Sequence, residues 1–340
     1  MSKKNFGLMM IALFVLVLNA CNAKPVEQSG INQPTSTSPP IVESTSTPTD
    51  IPPTAEPTAT EIPPATAVPT LAPTEEELGI GSTRISEIDD MEQVYVPAGE
   101  FDMGSTDIEA KIVIENGRAY PEIPVNTVYL DGYWIDKYEV TTAQYALCVE
   151  DGACKPPFIP TSSTRESYYD NPEFANYPVI WVKWAMAGEY CEWAGRRLLT
   201  EAEWEKASKG TDGRKYPWGN EPVSGERANL CDINCPRDWA NPNFDDGYPD
   251  TAPVGSYPAG ASPYGVMDMS GNVWEWTSSL IQPFPYDAND GRENPDATGE
   301  RNWRGGAWND GYWWMRSTVR YRSVTFYSYF NLGIRCGVSE

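Results

Sequence analysis

The chain has 340 residues, no histidine and a net charge of −23 at neutral pH. So acidic a balance argues against a nucleic-acid partner, because phosphate backbones select basic surfaces. Without imidazole, Ser-His-Asp and Cys-His catalysis and histidine-held zinc or iron are excluded, which leaves carboxylates, cysteines, tyrosines, lysines and backbone for any chemistry.

Lys3 and Lys4 precede an apolar run from Leu8 to Leu18. A basic start and a short apolar core predict an export signal rather than a spanning helix. The run leads into Leu18-Asn-Ala-Cys21, where a cysteine after a small residue resembles a bacterial lipobox, with Asn19 departing from the usual small residue. Residues 1–21 are therefore expected to be a lipoprotein signal peptide with Cys21 lipidated; the alternative is an ordinary signal with a stray cysteine. Residues 22–85 are dominated by Pro, Thr and Ser. Such a segment cannot bury enough apolar surface to offset its ordering entropy, and proline keeps it extended, so a disordered stalk is expected. The chain then reads as exported and lipid-anchored, at the bacterial cell surface or the periplasmic membrane face, touching the membrane through the lipid only.

Six of the seven cysteines remain once Cys21 is set aside. An even number in an exported chain predicts disulfides. Cys148 and Cys154 flank a short loop that could close locally, and so do Cys231 and Cys235. The second pair also has the spacing of half a zinc site, but no second half completes it. The overall connectivity stays open on these grounds.

A strand is predicted over Val94–Ser105, which alternates apolar residues and ends in turn residues. Val125–Tyr133 gives a second strand containing the turn signal Asp131-Gly132. Thr141 with Gln144 forms a capping box, so a helix starts there and runs to about Val149. Trp184, Ala187, Cys191 and Ala194 recur at helical spacing, with Gly195 as the C′ residue. Thr200 and Glu203 cap a further helix, carrying Trp204 and Ala207 and closed by Gly210, which reads as amphipathic and structural. After Tyr216-Pro-Trp-Gly-Asn220 helical periodicity stops.

The stretch Tyr264-Gly-Val-Met-Asp-Met-Ser-Gly-Asn-Val-Trp-Glu-Trp276 concentrates glycines, carboxylates and tryptophans. Asp268 and Glu275 offer hard oxygen ligands, and glycine turns expose carbonyls, the donors calcium prefers. Trp274 and Trp276 would share one face of a strand. A buried turn with an aromatic plug is the simpler reading.

This stretch, together with Val94–Ser105, Gly195–Lys206 and Asn331–Cys336, closely resembles the formylglycine-generating enzyme family, also called sulfatase-modifying factors, over Val94–Val338. The resemblance implies an α+β, C-type-lectin-like domain over residues 90–340, with short twisted sheets, few helices and much irregular loop. It implies that Cys191 pairs with Cys336. It implies two structural calcium sites, one from Asn229, Leu230, Asp246 and Tyr248, the other from Asp268, Gly271, Val273 and Glu275. Catalytic members bind copper(I) through two cysteines a few residues apart, and the matching positions here are Asp310 and Met315, with Ala307 where serine is usual. A carboxylate and a thioether are a poor substitute for two thiolates, so copper is not expected. The family's histidine-ligated iron route is closed as well.

Arg316–Phe330 is heavy in Tyr, Ser and Phe and leads into the closing Asn331–Cys336. Antibody paratopes use a similar mixture of rigid aromatics and small polar residues. A ligand-binding surface is expected from Trp308, Asp310, Tyr312, Trp313, Trp314, Tyr327 and Tyr329; a buried aromatic core is the competing reading. The expected function is a tethered module binding a protein, peptide or glycan. The alternatives are an active formylglycine-generating oxidase, the variable binding protein of a diversity-generating retroelement, and a structural envelope protein.

Overall fold

The computed structural model describes residues 78–106 and 121–340, all within the unit Leu71–Glu340. The readings of residues 1–21, with Cys21, and of residues 22–77 lie outside the described residues. The remaining residues form an α+β domain of short sheets, three α-helices and long irregular connections.

The central sheet has the order β1 (Thr83–Ile85), β2 (Glu92–Val96), β5 (Tyr133–Asp136), β11 (Cys336–Ser339) and β6 (Arg197–Leu198), with every pair antiparallel. β1 falls inside the stretch assigned above to the stalk. Its pairing with β2 starts the fold at Thr83, before the expected boundary at residue 90. The strand predicted over Val94–Ser105 is two strands. Pro97 has no N–H to give a ladder, so β2 stops at Val96. β3 (Gly99–Met103) then pairs with β4 (Asn126–Leu130) in a separate two-stranded sheet. The prediction over Val125–Tyr133 divides in the same way at Asp131-Gly132, where β4 gives way to β5. A Cβ on Gly132 would lie 2.1 Å from the Tyr95 hydroxyl, so a larger residue there would have to displace that side chain.

The helices start and stop where the sequence signals place them. α1 (Thr142–Glu150) carries the complete Thr141–Gln144 capping box. α2 (Trp184–Trp193) buries Ala187, Tyr190 and Cys191 and ends before Gly195, whose φ of 71° is the left-handed geometry glycine permits. α3 (Glu201–Lys209) carries the Thr200–Glu203 capping box and ends at Gly210. The amphipathic reading of α3 needs correction, because all nine of its residues are buried. Its charges find partners inside the protein. Glu201 accepts from Arg304 and Arg320, Glu205 accepts from Arg304, and the Lys206 ammonium donates to the carbonyls of Pro97 and Gly99.

A second sheet has the order β10 (Leu332–Gly333), β7 (Trp274–Leu280), β8 (Glu300–Arg304) and β9 (Tyr321–Val324). Trp274 and Trp276 do lie on one face of β7, and both pack on Trp303 of β8. Disulfides join Cys148 to Cys154, Cys231 to Cys235, and Cys191 on α2 to Cys336 on β11. The last ties the helical layer to the central sheet through the main core. Among the described residues, no helix is long and apolar enough to cross a membrane.

Candidate functional site

Beyond the edge of the second sheet, β8, β9 and the loops around residues 309–314 and 327–331 enclose an aromatic pocket of about 560 Å³. Trp314, Tyr321, Tyr327 and Tyr329 form its partly exposed walls, and Trp274 and Trp303 lie beneath, nearly buried. The rings brace one another: Trp274 meets Trp314 at 5.7 Å with planes 82° apart, and Tyr321 at 5.6 Å. Trp303 meets Tyr321 at 5.3 Å and Tyr329 at 5.0 Å. Such tilted and edge-on pairs are the favoured aromatic geometries, so the walls are held rigidly.

Asp310 is the polar element of this pocket. Its Oδ2 accepts from the Trp274 indole N–H at 2.8 Å and from the Ala307 amide at 3.1 Å, while its backbone carbonyl accepts from Cys231. Burial pushes the carboxyl up to about 7, against those two hydrogen bonds. Arg322 and Glu300 pair with each other at the pocket's edge.

Of the predicted binding residues, Asp310, Trp314, Tyr327 and Tyr329 come together here. Trp308 does not. It is 1% exposed and packs against Phe330 and the Cys231–Cys235 loop. Tyr312 and Trp313 are exposed but meet each other edge-on, with planes 69° apart, away from the pocket, Tyr312 also touching Phe244. Trp303 and Tyr321 are absent from the sequence expectation, which takes Trp274 as part of a plug; the strand alternation of β7, β8 and β9 is the signal that points to them.

The two positions matched to the copper cysteines do not face a common site. Met315 is fully buried among Tyr216, Val223, Ala228 and Leu230, whereas Asp310 turns to Trp274 and the pocket. The six cysteines among the described residues are all closed in disulfides. This donor set does not fit copper(I), which wants soft thiolates.

The calcium-type residues lie on two loops bound to each other. The Asn229 carbonyl accepts from the Asn272 amide, and a Cβ on Gly271 would lie 2.1 Å from that same carbonyl, so glycine is required. Around Asn229 the donors suit a cation. Its Oδ1 is buried with no hydrogen-bond partner, and the buried Asp246 carboxylate accepts from the amides of Leu230 and Tyr248. Burial pushes Asp246 up to about 7, which marks a carboxylate short of positive charge. The second group fits less well. Both Glu275 oxygens are engaged, by Arg335 and by the Trp204 indole. Burial raises Asp268 to about 6, and Glu139, absent from the sequence reading, lies fully buried nearby with its carboxylate on Asn272 and Val273. The cation at this centre is the buried Arg335 itself. Among the described residues, no three His, Cys, Asp or Glu side chains cluster to hold an ion, so a calcium site would lean on asparagine and carbonyl oxygens.

Short sheets, few helices, long loops and disulfide closure define an α+β domain of the C-type-lectin-like kind. Residues 82–339 match the sulfatase-modifying factor enzyme 1-like domain, and the chain belongs to that family. It is similar to the formylglycine-generating enzyme of Streptomyces coelicolor, 34% identical over 293 residues, covering 72% of this chain and 88% of that protein. It is also similar to the inactive C-alpha-formylglycine-generating enzyme 2 of Mus musculus, 38% identical over 168 residues, covering 48% and 49% of the two chains. Among solved structures, PvdO from Pseudomonas aeruginosa matches with a TM-score of 0.63 at 25% identity, covering 78% of this chain and all of that one. Variable protein 1 of Treponema denticola matches with a TM-score of 0.54 at 18% identity, over 76% and 99% of the two chains, which shows a shared fold.

Proposed function

We propose that the protein is an exported, lipid-anchored binding module on the sulfatase-modifying-factor scaffold, without the copper oxidase chemistry of the catalytic members. One observation carries this reading: where the resemblance places two copper thiolates stand Asp310 and a buried Met315, and the cysteines of the domain are closed in disulfides. The aromatic pocket beside Asp310 supplies a surface for a protein, peptide or glycan ligand. A relative named as inactive shows that the scaffold persists without the activity. The test is an oxidase assay on the purified protein, given copper(I), calcium, oxygen and a sulfatase-motif peptide. Mass spectrometry should find the peptide cysteine unchanged; its conversion to the aldehyde would overturn the reading.

Calcium is proposed at Asn229, Leu230, Asp246 and Tyr248, where it would neutralise buried oxygens and stiffen irregular backbone. A ligand that binds only the folded state at a hundred times its Kd adds about 2.7 kcal/mol. Saturating calcium should therefore raise the melting temperature over a chelated sample, and Asn229→Ala should abolish the difference. Identical melts of the native protein with calcium and with chelator would remove calcium from the account.

A further inference from the structure

We propose that the aromatic pocket takes an alkylated ammonium group, held against the faces of Trp314, Tyr321, Tyr327 and Tyr329 and paired with the free oxygen of Asp310. This deepens the binding reading above and rests on it.

The argument begins with the charge balance of the lining. Glu300 and Arg322 pair and offset each other, so Asp310 is the remaining carboxyl facing the pocket, and a cation bound beside it would favour its ionised form. Its two oxygens are not equivalent. Oδ2 is pinned by the Trp274 indole and the Ala307 amide. Oδ1 meets no donor among the described residues and is not shut away from solvent. The indole contact also fixes the carboxylate's direction, because Trp274 is itself held between Trp314, Tyr321 and Trp303.

The remaining lining then selects among ligands. Several of its polar side chains are already spent on one another: the Asn331 amide donates to Asn309 at 2.9 Å, and the hydroxyls of Ser323 and Tyr329 share a bond at 3.4 Å. A ligand rich in N–H or O–H groups, such as a guanidinium or a sugar, would leave many of them unmet here. A quaternary or methylated ammonium has few or no donors. It asks for ring faces, whose quadrupoles attract a cation, and for one counter-charge. The pocket offers both. The acidic balance of the whole chain adds a long-range attraction of the same sign.

Choline serves as the probe, with 3,3-dimethylbutan-1-ol as its uncharged isostere and a trimethyllysine peptide as a second source of the same group. Binding to the purified protein would be followed by calorimetry and by tryptophan fluorescence. The expected result is that choline binds about ten-fold or more tightly than the alcohol. Asp310→Asn should erase that preference, since the amide oxygen can still accept from Trp274 and Ala307 and keep the fold. Tyr321→Leu should weaken both ligands. Tighter binding of the peptide than of choline would place the group on a protein partner; the reverse order would point to a free metabolite. Equal binding of choline and the alcohol, no binding of either cation, or a preference that survives Asp310→Asn would each overturn the proposal. None of these would restore oxidase chemistry, which only the aldehyde assay addresses, so the two readings fail separately.

Discussion

Replacing Cys191 and Cys336 together by alanine should cost about 5 kcal/mol, the largest loss expected from opening any bridge in the domain. The bridge closes a loop of 145 residues and joins α2 to β11. Opening it returns to the unfolded chain most of the loop-closure entropy that the cross-link removes. Alanine keeps much of the packing at two fully buried positions, so the loss is mainly one of connectivity. The control is Cys148→Ala with Cys154→Ala, where the bridge spans only 6 residues and the same reasoning gives about 2 kcal/mol. In thermal melts the long-loop variant should fall by roughly 10–20 °C and the short-loop variant by less than half of that. Equal shifts would mean that local packing, not loop length, sets the value of these bridges.

How much of this was legible in the sequence follows from the range of the interactions. Helix ends are decided within four residues, so Thr141 with Gln144, Thr200 with Glu203, and Gly195 and Gly210 mark their caps in the sequence itself. A strand break is visible at Pro97, but the apolar alternation continues past it and hides the stop. The burial of α3 was not legible at all. Its glutamates look like a solvated face until their partners arrive from about a hundred residues away, as when Arg320 reaches Glu201 across a separation of 119. Glu139 was invisible for the same reason, being matched to Asn272 and Val273 across more than 130 residues. The candidate site was half legible. Aromatics in irregular backbone have no period to say which way they point, so Trp308, buried, and Trp314, on the pocket wall, could not be told apart. Trp274 and Tyr321 sit on strands, where alternation could have placed them.

Those buried partners make Glu201→Gln the second large effect. Glu201 accepts from Arg304 and from two nitrogens of Arg320, and all three side chains are fully buried. Glutamine removes the negative charge on which both arginines converge, and although Arg304 keeps Glu205 the buried group is left one negative charge short, which costs about 3 kcal/mol. By contrast, Asp212→Asn at the exposed Arg214 pair should cost less than about 1 kcal/mol, because water screens that pair. The pH dependence separates charge from shape. Burial alone would raise the Glu201 carboxyl, but Arg320 and Arg304 outweigh it and hold the folded value below the ordinary 4.5. A lowered carboxyl contributes stability that is fully present above the unfolded value and is lost as pH falls through the folded one. The gap in stability between the native protein and Glu201→Gln should therefore be full at neutral pH and narrow progressively as pH falls below the ordinary carboxyl value of 4.5. Denaturant unfolding at a series of pH values measures it directly. A gap that stays constant down to the acid limit would mean that glutamine fails there through its shape, and that the arginines hold α3 by packing rather than by charge.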